Sequence, residues 1–180
     1  MQGRLRLHGG LRWRGFEHKH GRHERTVDAR RAFVRGGATP KQYVNEVAAH
    51  ADEYAGFHFL AGVRDDVMQL SGMVTRLGPG AHALSNAPVG ETWPKVAIAE
   101  AEMNRLSALT DAPQLIDAIL EFLSSPRGTN RPESEVFVKG DRYGTRSSTA
   151  IVMTADAQLY FAEQSFGRGG VRDGDVRRFR

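Results

Sequence analysis

The chain has no cysteine. That absence excludes disulfides, thiolate metal ligands and a cysteine nucleophile. It also lacks any run of roughly 18 apolar residues, the length a helix needs to cross a bilayer, so no membrane span is expected. The first residues carry Arg and His and no apolar h-region, so they do not read as a secretory signal. Together these absences point to a cytoplasmic protein. No internal repeat is present. Hydrophobic residues make up 40% of the 180, which is low but sufficient for one core. The length suits one domain, with or without a tail.

What is present is unevenly charged. The net charge of +4 hides a division. Residues 1–36 hold ten Lys or Arg against three acids, and residues 37–180 hold fifteen against eighteen. The basic stretch also holds His8, His18, His20 and His23, four of the seven histidines. Apart from Leu5, Leu7, Leu11, Trp13 and Phe16, residues 1–25 offer no large apolar side chain. Such a composition cannot bury a core, so residues 1–32 read as a basic, disordered arm. A basic arm attracts phosphates, but aromatic interleaving stops at Trp13 and Phe16, so nucleic acid is not the expected partner. The four histidines fit no helix face and have no cysteine beside them, so no metal site is expected.

From residue 33 onward the pattern becomes regular. Thr39 is a plausible N-cap, Pro40 suits a first helical position, and Gln42 completes a capping box. Val44, Val47, Ala48 and Ala51 form one apolar stripe, with Gly56 past the helix end after Tyr54. Residues 22–34 could add a helix before it. Strands are expected at 57–63, 67–70 and 73–77, with a turn at Asp65-Asp66, and a short strand at 81–84. Trp93 should enter a helix that has Pro94 at its first position. Val96, Ala99, Met103 and Leu106 continue it at helical spacing. Thr110-Asp111 caps a second helix beginning at Pro113, with Leu115, Ile116, Ile119, Leu120 and Leu123 facing a core. EVFVKG (135–140) reads as a strand, and two strands should flank Ala155-Asp156-Ala157. The Gly- and Arg-rich segment 167–180 is expected to fray. This order gives an α+β fold, with layered antiparallel sheets covered by helices.

Several segments carry a resemblance. YAGFHFL (54–60), LSNA (84–87), WPKV (93–96), GTRSST (144–149) and FAEQSF (161–166) occur in an order and spacing similar to those of the NRDE family, also called the Transport and Golgi organisation 2 family. The match covers roughly residues 33–166. The resemblance implies a fold related to the N-terminal-nucleophile hydrolases, with two sheets packed between helix layers; the domain would be 33–180. Family members typically open with Met-Cys, followed by an Asn-Arg-Asp-Glu motif. Here position 2 is Gln2 and that motif is absent. The expectation is an N-terminally truncated or frame-disrupted member, an incomplete sandwich whose exposed sheet edge invites self-association.

An N-terminal-nucleophile enzyme takes nucleophile and base from one residue and needs donors for the developing oxyanion. No terminal Cys, Ser or Thr is present, so catalysis is not expected. Under the family reading Asn86 faces a cleft as a donor. Arg146 offers a planar fork for a carboxylate or phosphate, Ser147 and Ser148 add hydroxyls, and Trp93 could be a platform. Each has a structural alternative. Asn86 could stabilise its own turn, Trp93 could be helix-entry packing, Arg146 could serve a structural ion pair, and the serines are ordinary strand residues. Lys95, in a first helical turn, is expected to be solvated. The family's link with haem makes haem a candidate ligand, with His58 and His82 as conceivable axial ligands. The leading expectation is a non-catalytic, small-molecule-binding member, in haem trafficking. The alternative is an amide hydrolase of the N-terminal-nucleophile type whose catalytic N-terminus is missing.

Overall fold

Thr39 starts the first helix as the sequence predicts. Its Oγ1 accepts from the Gln42 amide at 3.2 Å, and its own amide donates to Gln42 Oε1 at 3.0 Å. Two amides at the helix start are thereby satisfied, and Pro40 lacks the third. The helix α1 (Pro40–Ala49) follows, then a 3₁₀ turn at Ala51–Glu53. Ala51 falls in that turn and is exposed, so it leaves the stripe predicted for it. The computed structural model describes residues 36–53, 57–63, 65–88, 90–127 and 131–180. The basic arm, the helix expected at 22–34, and Tyr54 and Gly56 lie outside the described residues.

The described residues divide into two compact units. The first runs to Gly80 and includes Pro88–Glu91. Its strands β1 (Phe59–Val63), β2 (Asp66–Ser71) and β3 (Met73–Leu77) form an antiparallel sheet in the order β1-β2-β3. Phe59 pairs with Leu70 and Ala61 with Met68. Because side chains alternate along a strand, these four share one face. That face buries Tyr43, Val44 and Val47 of α1. Val44 is fully buried, and burying one such side chain contributes about 1.5–3 kcal/mol.

The second unit comprises Ala81–Ala87 and Thr92–Arg180. Its helices are α2 (Pro94–Leu106) and α3 (Ala112–Ser124). Asp111 caps α3 by accepting from the Gln114 amide at 2.8 Å. The sheet is β4 (Ser147–Met153), β5 (Leu159–Phe166) and β6 (Arg172–Phe179), antiparallel in that order. Ala150 and Ala162 lie opposite each other and are buried with Leu106, Ile116, Ile119 and Leu120. Two small side chains in register let the helix layer approach the sheet closely. With three helices and six strands among the described residues, the α+β class holds.

Three sequence expectations give way here. Residues 81–84 are not a strand, because the Ala83 amide donates to the Glu100 carboxylate on α2 at 3.2 Å instead of to a neighbouring strand. EVFVKG is not a strand either. Glu135 is buried and accepts from the Arg127 amide at 2.8 Å, Val138 bonds locally to Thr145, and Phe137 packs edge-on against Phe166 at 4.7 Å. Finally, the segment expected to fray is the strand β6. Phe179 meets the Phe161 ring at 5.7 Å, Val176 packs against the core, and Arg178 pairs with Asp117 on α3. Gln164 Nε2 donates to the Gly174 carbonyl at 3.1 Å. Gly174 has φ +70, a conformation glycine adopts without steric cost, beside the register shift between Glu163 and Ser165.

Candidate functional site

The loop from Ala81 and the start of α2 bring together side chains far apart in the chain. Proline at position 94 sets the first helical residue, and Trp93 before it is extended, at φ −89 and ψ 149, as the residue before a proline should be. Trp93 makes no side-chain cap. Lys95 therefore emerges from the first turn of α2, and its amide donates to the Glu133 carbonyl at 3.2 Å. The Nζ of Lys95 donates to Asn86 Oδ1 at 2.9 Å and lies 4.8 Å from the centre of the Trp93 ring. Asn86 is 8% exposed, and its Nδ2 makes a long contact of 3.5 Å with the Tyr143 hydroxyl.

Tyr143 reaches this place through a tight turn. A Cβ on Gly140 would stand 2.1 Å from the Tyr143 carbonyl oxygen, so no side chain is tolerated there. The turn is closed on either side by the Thr145 amide, which donates to the Val138 carbonyl at 2.9 Å, and by the Val138 amide, which donates to Thr145 Oγ1 at 3.0 Å.

Electrostatically, Lys95 is poorly placed to be a cation. Half-buried, it has lost hydration that favours its charge, and this desolvation pulls its pKa below the ordinary lysine value; the charge of Glu133 pulls the other way. The positive end of the α2 dipole also disfavours a cation, and the first turn carries no acid. Among the described residues no Asp or Glu oxygen closes an ion pair with it. The Trp93 face partly offsets this, since an aromatic face attracts a cation. The expectation of a solvated Lys95 is thus corrected: the helix start lies against a folded loop, and the side chain turns onto Asn86.

Of the predicted site residues, Asn86 and Trp93 converge on Lys95. The others bond elsewhere. Ser148 is buried, and its Oγ donates to the Leu123 carbonyl at the end of α3, 3.0 Å away. Ser147 is exposed and sits opposite Ser165. The exposed Arg146 donates to the Gly167 carbonyl at 3.0 Å, a clasp between strand ends rather than an ion pair. In the first unit, His58 Nδ1 bonds Ser71 Oγ at 2.9 Å, while in the second, His82 is exposed. Among the described residues, no group of three His, Cys, Asp or Glu side chains could hold a metal ion.

Sequence reasoning missed Lys95 and Tyr143 as members of this cluster. The WPKV motif contains Lys95, and a cation in an acid-free first turn was a usable signal. Tyr143 follows Asn86 by 57 positions, and no periodicity links them.

A family model described as Transport and Golgi organisation 2 matches residues 17–168. No curated protein matches the chain. Among the described residues no helix is long and apolar enough to cross a membrane.

Proposed function

The chain belongs to the Transport and Golgi organisation 2 family, and on that footing we propose that it is a non-catalytic, ligand-binding member whose second unit holds a small, largely apolar ligand with an anionic group. Haem is the candidate the family suggests, which would place the protein in haem trafficking. The observation that supports this reading is the Lys95 ammonium, half-buried beside Asn86, with Glu133 acting through its charge but no ion pair to Lys95 among the described residues. An incoming carboxylate would replace lost hydration with a charge-assisted hydrogen bond. Asn86 Nδ2 and the Tyr143 hydroxyl are further donors nearby, and the Trp93 face suits a flat apolar body. For haem, the point of contact with this cluster would be the propionates, which suit an ammonium flanked by amide and hydroxyl donors.

The test is a haem titration followed by absorbance, run beside mesoporphyrin and its dimethyl ester. A Soret shift at micromolar protein is expected, together with weaker binding of the ester and of the Lys95→Met variant. Absence of any shift overturns haem as the ligand. Equal binding of acid and ester overturns the carboxylate contact.

A further inference from the structure

Lys95 has a second chemical possibility that charge alone does not use. When the amine is neutral it can still donate one N–H to Asn86 Oδ1, which holds Nζ in place and leaves its lone pair directed elsewhere. The Trp93 ring lies 4.8 Å away and offers a wall for an apolar substituent. The Tyr143 hydroxyl, within 3.5 Å of Asn86 Nδ2, is a proton source close to the same cluster. A nucleophile, an orienting acceptor, an apolar wall and an acid are the parts that addition to a carbonyl requires.

We propose that Lys95 is a carbonyl-capturing amine, whose Nζ, oriented by Asn86 and walled by Trp93, forms a reversible imine with small apolar aldehydes. The inference rests on placing the ligand site at Lys95 and goes further by naming a covalent chemistry. In the first step the Nζ lone pair bonds to the aldehyde carbon, and the carbonyl π pair moves to oxygen. The oxygen takes a proton, with Tyr143, on the far side of Asn86, as a phenolic source, and Nζ loses one, giving a carbinolamine. In the second step the hydroxyl is protonated and leaves as water, a C=N bond forms, and the last Nζ proton departs. One water is released for each aldehyde bound, and no oxidant or reductant is consumed. The burial that depresses the Lys95 pKa enlarges the free-amine fraction near neutrality, tenfold for each pH unit of depression. The charged group acting against this is Glu133, and Tyr143 is the other titratable neighbour.

The chain has four lysines, Lys19, Lys41, Lys95 and Lys139, so the site can be tested by competition within one molecule. The full chain is incubated with benzaldehyde or hexanal across a pH series, trapped with cyanoborohydride, and mapped by peptide mass spectrometry. Lys95 is expected to be labelled several-fold faster than the exposed Lys41 and Lys139, with its half-maximal rate at a lower pH. Burial without activation predicts the reverse order. Labelling of Lys95 equal to or slower than that of Lys41 and Lys139, or a pH profile coincident with theirs, overturns the proposal. The two readings fail separately. Selective labelling without haem binding removes the haem reading alone, and haem binding with uniform labelling removes the imine alone.

Discussion

Lys95 Nζ donates to Asn86 Oδ1 across a loop, at 2.9 Å, while the same ammonium rests over the Trp93 ring. One amide oxygen is its hydrogen-bond acceptor in a half-buried place at the start of a helix. The arrangement makes Lys95 a group whose protonation is linked to stability, and the sign can be worked out. Its folded-state pKa lies below the ordinary lysine value of 10.5, which the unfolded chain would have. Below the folded value both states are protonated, and the folded state carries the full cost of burying a cation. Between the two values the unfolded chain binds the extra proton, so this contribution to stability rises with pH. Measured by urea unfolding, the stability of the wild type relative to Lys95→Met should therefore improve as the pH rises towards the unfolded value of 10.5. A difference that is flat or falls with pH would contradict the burial.

Asn86 makes the next prediction. Asn86→Ala leaves the Lys95 ammonium without its acceptor, and an unsatisfied, partly buried donor costs about 1–3 kcal/mol. Asn86→Asp should behave differently. A carboxylate in that place would neutralise the ammonium and raise its pKa, so the fold persists by circular dichroism. Binding of an anionic ligand and aldehyde labelling of Lys95 should both fall. Undiminished ligand binding by Asn86→Asp would detach the site from this charge.

Gly140→Ala should disturb the Tyr143 turn, because the added methyl would stand 2.1 Å from a backbone oxygen that cannot move aside cheaply. A loss of about 1–3 kcal/mol is expected, read from urea midpoints. A change in the tyrosine fluorescence of a Trp-free background should accompany it. A neutral substitution would mean that the turn relaxes freely.

The terminal strand provides a local test. Phe179 is 65% exposed yet meets the Phe161 ring, and Arg178 pairs with Asp117. Phe179→Ala should quicken amide exchange in β6 more than in β4. Aromatic pairs contribute about 0.5–1.5 kcal/mol beyond area burial, so the unit itself should stay folded. Equal protection of β6 in wild type and variant would show that the strand is held by its backbone bonds alone.

Local signals were the legible ones. The Thr39–Gln42 capping box, the Asp111 cap, the Pro94 helix start, the strand expected at 57–63, which begins at Phe59, and the strand at 73–77 were all readable, because each depends on residues within a few positions of one another. The family motifs were legible for the same reason, and the family model bears out the family they pointed to. EVFVKG misled because its run of Val136, Phe137 and Val138 is strand vocabulary, while its groups are satisfied by Arg127 and Thr145. The Arg- and Gly-rich end misled in the opposite direction. Its few apolar residues, Val176 and Phe179, suffice once β5 supplies a partner edge.

The candidate site divides along the same line. Asn86 and Trp93 could be picked from short motifs, and the sequence by itself determined the helix start beside Trp93. Only the tertiary structure decided that Lys95 turns onto Asn86, that Tyr143 comes within reach of it, and that Ser148 spends its hydroxyl on the end of a helix. Backbone preferences act over a few residues and can be read in one dimension. A lysine's hydration and hydrogen-bond partners are set by groups brought near through folding, and no spacing along the chain encodes them.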